Sequence, residues 1–234
     1  DVGPPVSVTL TVTDTSRQTA TCTSSVQVFD LVPPTAVCIP SITVEINAFG
    51  FEFVDGSQLD GGSTDACGIG LLEPIPNFFL GFDAGSTVPV TLRVVDIYEN
   101  SSTCVTNVVV QDNIPPTVAT QDITVFVDAG GTVTVLPGDV DNGTFDNITL
   151  TGGPAPTLTI DGGADVTFDC SEVGTTQVVT LTAVDPFGNS ATGTASVTIR
   201  DIIPPSITCP TDIAVNTDLD QPTAVVSFPD ATGN

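Results

Sequence analysis

The chain has 234 residues, with 28 Asp and Glu against three Arg and no Lys, a formal charge of −25. Such a field repels phosphate backbones and anionic lipid alike, so nucleic acid is excluded as a partner. His, Trp and Met are absent, which removes the commonest general base, the imidazole metal ligand and the best sugar-stacking ring.

Hydrophobic residues still make up 40% of the chain, enough to build cores rather than leave an acidic disordered polymer. No apolar run reaches the roughly 20 residues of a membrane helix, and no basic region followed by an apolar stretch opens the chain, so no membrane insertion is expected.

In chain order, the first element is Val6-Ser7-Val8-Thr9-Leu10-Thr11-Val12. Its strict alternation predicts a strand with Val and Leu inward and Ser and Thr outward. It ends at Asp14, and Val28-Phe29-Asp30 then leads into Pro33-Pro34. The arrangement returns twice: a strand ending at Asp96, with Asp112 leading into Pro115-Pro116, and Val178–Val184 ending at Asp185, with Asp201 leading into Pro204-Pro205. In each set the two acids are 16 residues apart, and the anchors Asp30, Asp112 and Asp201 lie 82 and 89 residues apart.

That period suits a seven-stranded sandwich. It gives two whole repeats, 31–112 and 113–201, flanked by a closing half over 1–30 and an opening half over 202–234. Asp1-Val2-Gly3-Pro4-Pro5 also fits the anchor, but the residues after it read as a closing strand, so that match is taken as accidental. Short alternating strands, frequent turn residues and no sustained helical period make the fold all-β, with each Pro-Pro pair stiffening a junction.

The stretch Asp201-Ile202-Ile203-Pro204-Pro205-Ser206-Ile207-Thr208-Cys209-Pro210-Thr211-Asp212-Ile213 resembles the start of a hyalin repeat, and Asp185-Pro186-Phe187-Gly188-Asn189 is similar to its closing turn. The resemblance covers essentially the whole chain. It implies tandem immunoglobulin-like β-sandwich domains of the kind found in extracellular, adhesion-associated proteins. The first whole repeat departs from the pattern at Asp96-Ile97-Tyr98-Glu99-Asn100, which lacks the glycine.

Six cysteines suit an oxidising compartment. Cys38 and Cys104 occupy repeat positions that in the next unit are Thr120 and Gly193, so both vanish together. Joint loss predicts a Cys38–Cys104 disulfide, which the chain-entropy model credits with roughly 4 kcal/mol. Cys22 and Cys209 each occupy one of those positions without a mate in their own half-repeat; a bond between successive chains, or to a longer parent chain, would supply one. Aligning Asp65 with Asp146 and Phe82 with Phe168 puts Ile148 and Ala84 opposite Cys67 and Cys170, so these two pair with each other across units or chains, or stay free. With no Cys-x-x-Cys and no His, zinc is disfavoured.

Calcium is the candidate cofactor, because recurring acids offer the hard oxygens it takes. The expected groups are Asp65, Asp96 and Asp112; Asp146, Asp185 and Asp201; and a truncated Asp14 and Asp30. The alternative is plain turn chemistry, since Asp is a favoured turn residue.

Asn100, Asn142 and Asn147 open acceptor sequons for glycosylation. A paired-carboxylate glycosidase is disfavoured because equivalent acids recur in every unit, whereas an active site occurs once. Serine nucleophiles lack a His base, and the absence of Lys forbids Lys-Asn isopeptide crosslinks. Phe78-Phe79-Leu80 forms either an exposed docking patch or core; core is favoured, because a period-two strand buries one of the two Phe rings anyway.

The expectation is a non-enzymatic segment of an extracellular or cell-surface fibre or stalk, associating with itself or continuing in a longer chain. The alternative is an adhesin module for a glycan or protein ligand.

Overall fold

The computed structural model describes residues 3–207 and 214–226. Strands dominate, and chain contacts divide the protein into two compact units, Asp1–Ile114 with Asp146–Ala155, and Pro115–Phe145 with Pro156–Asn234.

The first unit opens with a hairpin of β1 (Val6–Thr13) and β2 (Thr19–Val26). Then follow β3 (Ser41–Glu45), β4 (Phe51–Phe53), the one-turn helix α1 (Gly56–Leu59), β5 (Ile69–Ile75), β6 (Phe78–Leu80), β7 (Thr87–Asp96) and β8 (Ser101–Gln111). One sheet has the order β3-β8-β7-β5, with β3 parallel to β8 and the other pairs antiparallel. The second sheet is the antiparallel pair β4-β6. Alternation makes the core: Val90, Leu92 and Val94 of β7 and Val108 and Val110 of β8 turn inward against Phe79 of β6.

The second unit repeats the plan. Its sheet runs β11 (Thr157–Ile160), β13 (Thr176–Val184), β14 (Ser190–Arg200), β9 (Ile123–Phe126), with β9 parallel to β14. Opposite lie β10 (Thr132–Val135) and β12 (Val166–Asp169), and the helix α2 (Pro137–Val140) follows β10. Val135, Val140, Ile160, Phe168, Leu181 and Val197 are buried between the sheets. Each unit is thus a two-sheet sandwich in which the last strand carries the first in parallel, the immunoglobulin-like arrangement.

The repeat boundaries did not anticipate the return of 146–155 to the first unit. Its cause is Ile148, fully buried in the first unit's core. The segment is pinned there by Thr151, whose Oγ1 accepts from Gly81 N at 2.7 Å and donates to Gly50 O at 2.6 Å.

Sheet register corrects one alignment. Phe79 in β6, not Phe82, occupies the buried position of Phe168, so Gly81 rather than Ala84 stands opposite Cys170; Phe82 is exposed. Phe79 is the ring that faces the core, while Phe78 faces out.

Every residue of the β1-β2 hairpin is exposed, although its sequence matches that of β7. Val8, Leu10 and Val12 are 50–62% exposed where Val90, Leu92 and Val94 are fully covered.

Candidate functional site

The recurring acids first serve their own turns. Asp14 Oδ1 accepts from Ser16 N and Gln18 N, Asp96 Oδ1 from Tyr98 N and Asn100 N, and Asp185 Oδ1 from Phe187 N and Asn189 N, all at 2.8 Å. The turn's fourth residue is left-handed in all three: Arg17 (φ 66°), Glu99 (φ 75°) and Gly188 (φ 91°). The first whole repeat therefore keeps the turn without its glycine, at the steric cost of a Cβ in that region. The anchors behave alike, since Asp30, Asp112 and Asp201 each accept at Oδ1 from the N–H two residues on, fixing the entry to Pro-Pro.

Turn chemistry leaves the second oxygens to be placed. In Asp96 and Asp185, Oδ2 accepts from Nδ2 of Asn100 and Asn189 at 2.7 Å. Burial alone would raise the Asp96 pKa, but the Asn100 amide and the N–H groups of Tyr98, Asn100 and Glu99 together outweigh it and hold the carboxyl below its ordinary value.

Two acidic groupings involve residues of the first unit. Asp30, Asp65 and Cys67, all half-buried, bring ligand-type atoms within 4.8 Å of one another. Asp65 holds its own turn through Cys67 N at 2.7 Å and Gly68 N at 3.2 Å. The Cys67 thiol is pushed up to about 11, first by its hydrogen bond to Asp30, then by burial and the fields of Asp30, Asp65 and Asp96. It is thus a proton donor to the carboxylate at neutral pH rather than a thiolate.

In the other grouping, Asp112 and Asp146 are 3% and 1% exposed, with carboxylate oxygens within 4.8 Å of each other. Asn147 Nδ2 donates to Asp112 Oδ1 at 3.1 Å and to the carbonyl of Asn47 at 3.2 Å. At an effective dielectric near 20, two ionised carboxylates about 5 Å apart repel by roughly 3 kcal/mol.

Within the first unit Asp65 lies near the preceding anchor Asp30, and Asp146 near Asp112. Asp201 is exposed on its own turn, in the second unit with Asp185.

The cysteines divide. Cys38 and Cys104 form a disulfide with Cα atoms 5.7 Å apart, joining the residue ahead of β3 to β8. In the second unit Thr120 Oγ1 donates to Thr194 O at 2.7 Å, beside Gly193, where that bond would lie. Cys22 and Cys170 are exposed, and with Cys67 they are free thiols. Cys209, the expected mate of Cys22, lies outside the described residues.

The sequons divide as well. Asn147 is 4% exposed and both hydrogens of its Nδ2 are donated, so no glycan fits on that nitrogen in the folded chain. Asn100 Nδ2 is engaged by Asp96 Oδ2 and by the carbonyl of Asp30. Burial, invisible in a three-residue motif, shields Asn147, whereas Asn100 is half-buried and Asn142 is exposed.

Beyond the docking patch considered at Phe78, the sequence reading did not anticipate the outer face of β4 and β6. Phe49, Phe51, Phe53 and Phe78 cluster there, the Phe53 and Phe78 rings 4.6 Å apart. The same face of β10 and β12 carries Thr132, Thr134 and Thr167, all exposed. The signal was the run Phe49-x-Phe51-x-Phe53, which has period two.

No helix among the described residues is long and apolar enough to cross a membrane. No protein-family model matches the chain, and no curated protein matches it in sequence. Among solved structures, the extracellular cadherin domains 1-4 of Protocadherin Gamma B7 are 14% identical, with 93% of this chain and 63% of that one covered, at a TM-score of 0.36. The human Desmocollin-1 ectodomain is 14% identical over 82% of this chain and 45% of that one, at 0.30. DIP-gamma IG1+IG2 is 12% identical over 72% of this chain and 98% of that one, at 0.34. The chain thus spans less than two thirds of the two cadherin-type chains it resembles. The chain itself is built of immunoglobulin-like β-sandwich units.

Proposed function

We propose that this chain is a non-catalytic, extracellular segment of a fibre or stalk built from tandem immunoglobulin-like units, associating with itself or continuing in a longer polypeptide. One observation carries the reading: β1-β2 has the sequence of a closing hairpin, yet its apolar face is bare. Exposing that stripe is unfavourable by about 25 cal/mol per Å² of apolar surface, so it is built to be covered. The matching cover is the opening half of a repeat, of the kind carried by 202–234. It would come from another copy or from an adjoining stretch of the same polypeptide. The Cys38–Cys104 disulfide fits an oxidising, extracellular setting better than a reducing one. Calcium is the cofactor that the buried acids suit.

Electron microscopy of the purified chain, with a non-reducing peptide map, tests this. Filaments together with a Cys22–Cys209 crosslink between chains support the self-associating form. A monodisperse monomer whose β1-β2 amides are fully protected from hydrogen exchange would sink the reading, because the bare face would then already be covered within one chain.

A second reading, an adhesin module, is favoured by the aromatic face of β4 and β6, which the second unit replaces with threonines. A protein or glycan ligand binding there would be lost in Phe53→Thr with Phe78→Thr.

A further inference from the structure

We propose that Asp112, Asp146 and Asn147 form a divalent-cation site of calcium type within the first unit. The inference deepens the calcium element of the function proposed above and rests on it for its setting, though not for its geometry. The two carboxylates are almost wholly buried, with oxygens within 4.8 Å of each other, an arrangement that a hard dication relieves. The independent observation is Asn147. Its side chain is 96% buried by its 4% exposure, its Nδ2 lies against Asp112 Oδ1 at 3.1 Å, and its Oδ1 is buried with no hydrogen-bond partner.

A buried amide oxygen left without a donor is costly and rare. Turning the amide over would not help, because both positions now held by Nδ2 face acceptors, Asp112 Oδ1 and the Asn47 carbonyl. A cation satisfies Oδ1 without moving the donors. Carboxylate and amide oxygens are the ligand types calcium takes, with water free to complete its shell.

The other acidic grouping supplies an internal contrast. Its residues Asp65-Ala66-Cys67 stand where Asp146-Asn147-Ile148 stand here, so the amide oxygen is missing and a protonated thiol faces Asp30 instead. That thiol does by hydrogen bonding what the cation does at Asp112, and it makes the Asp30 grouping a poor calcium site.

The test is calorimetric titration of CaCl2 into the full chain after EDTA treatment, with thermal melts in EDTA and in calcium. Wild type and Asp65→Asn are expected to bind calcium alike and to melt several degrees higher with it. Asp146→Asn is expected to lose at least tenfold in affinity and the calcium-dependent rise, while melting no lower than wild type in EDTA because a buried like charge is gone. Asn147→Leu should likewise lose affinity and the calcium-dependent rise, though melting lower in EDTA because the Asn47 carbonyl and Asp112 lose a donor; if it does not fold, Asn147→Asp, which restores an oxygen ligand, should retain binding. The proposal is overturned if wild type shows no calcium-dependent rise, or if Asp146→Asn keeps it, or if Asp65→Asn alone abolishes it. Filament imaging is read separately: filaments without a calcium response overturn this site alone, and calcium binding by a monomer overturns only the self-associating reading.

Discussion

The carbonyl of Ile148 fills the space that a β-carbon on Gly81 would need, and the Thr151 hydroxyl closes the same spot from the other side. Position 81 is therefore restricted to glycine by a close approach of two backbones rather than by its own dihedral angles. Gly81→Ala is expected to destabilise the first unit by about 1–3 kcal/mol through overpacking, read as a lower denaturation midpoint for that unit's transition.

Glu99 sits in the left-handed region that Gly188 occupies in the equivalent turn. Glu99→Gly should relieve that strain and stabilise by up to about 1 kcal/mol, the gain being reduced by the greater freedom of glycine when unfolded. The same substitution at an exposed strand position would destabilise, which makes a paired urea titration decisive.

The Cys38–Cys104 bond closes a loop with a sequence separation of 66. Reduction should cost about 4 kcal/mol in the chain-entropy model. The loss should be confined to the first unit, and hydrogen exchange with and without reductant would show whether the β13-β14 amides stay unchanged.

Asp96 is held below its ordinary pKa, so its contribution to stability is present above the unfolded value of 3.8 and is lost as pH falls through the lower folded value. Asn100→Leu removes the side-chain donor. The stability gap between this variant and wild type should be clear at pH 7 and shrink below about pH 4, where Asp96 protonates in the unfolded chain. A gap independent of pH would mean that Asn100 acts through packing alone.

Cys67, with its thiol pushed up to about 11, should alkylate slowly at pH 8. Asp30→Leu removes both the hydrogen bond and the nearest charge, and it should speed the reaction several-fold. Mass-resolved iodoacetamide kinetics would report each cysteine separately.

Much of this was legible because the signals are local. Alternation in Val6–Val12 and Val178–Val184 marks strands whatever surrounds them, and the 16-residue spacing of turn and anchor acids marks the repeat. The pairing of Cys38 with Cys104 showed through their joint replacement by Thr120 and Gly193. What stayed hidden depends on contacts distant in sequence. Asp65 pairs with Asp30, and Asp146 with Asp112, across a Pro-Pro segment, which grouping acids by repeat could not reveal. Asn147 reads as a sequon until Asn47 and Asp112, 100 and 35 residues away, are seen to hold its amide. The Phe79 register was missed because Phe82 lies three residues on and is equally aromatic.

The parallel pairing of β3 with β8 bears on how a pulled chain would fail. Tension entering at Ser41 and leaving at Gln111 draws two parallel neighbours in opposite directions, so their ladder is sheared all at once instead of unzipping bond by bond. The sulfur bridge just ahead of β3 then short-circuits the load, passing it from Cys38 to Cys104 and sparing the loop between them from extension. The second sandwich has only a threonine hydroxyl at that point. It is the one that should give way first, leaving its neighbour as an inextensible link.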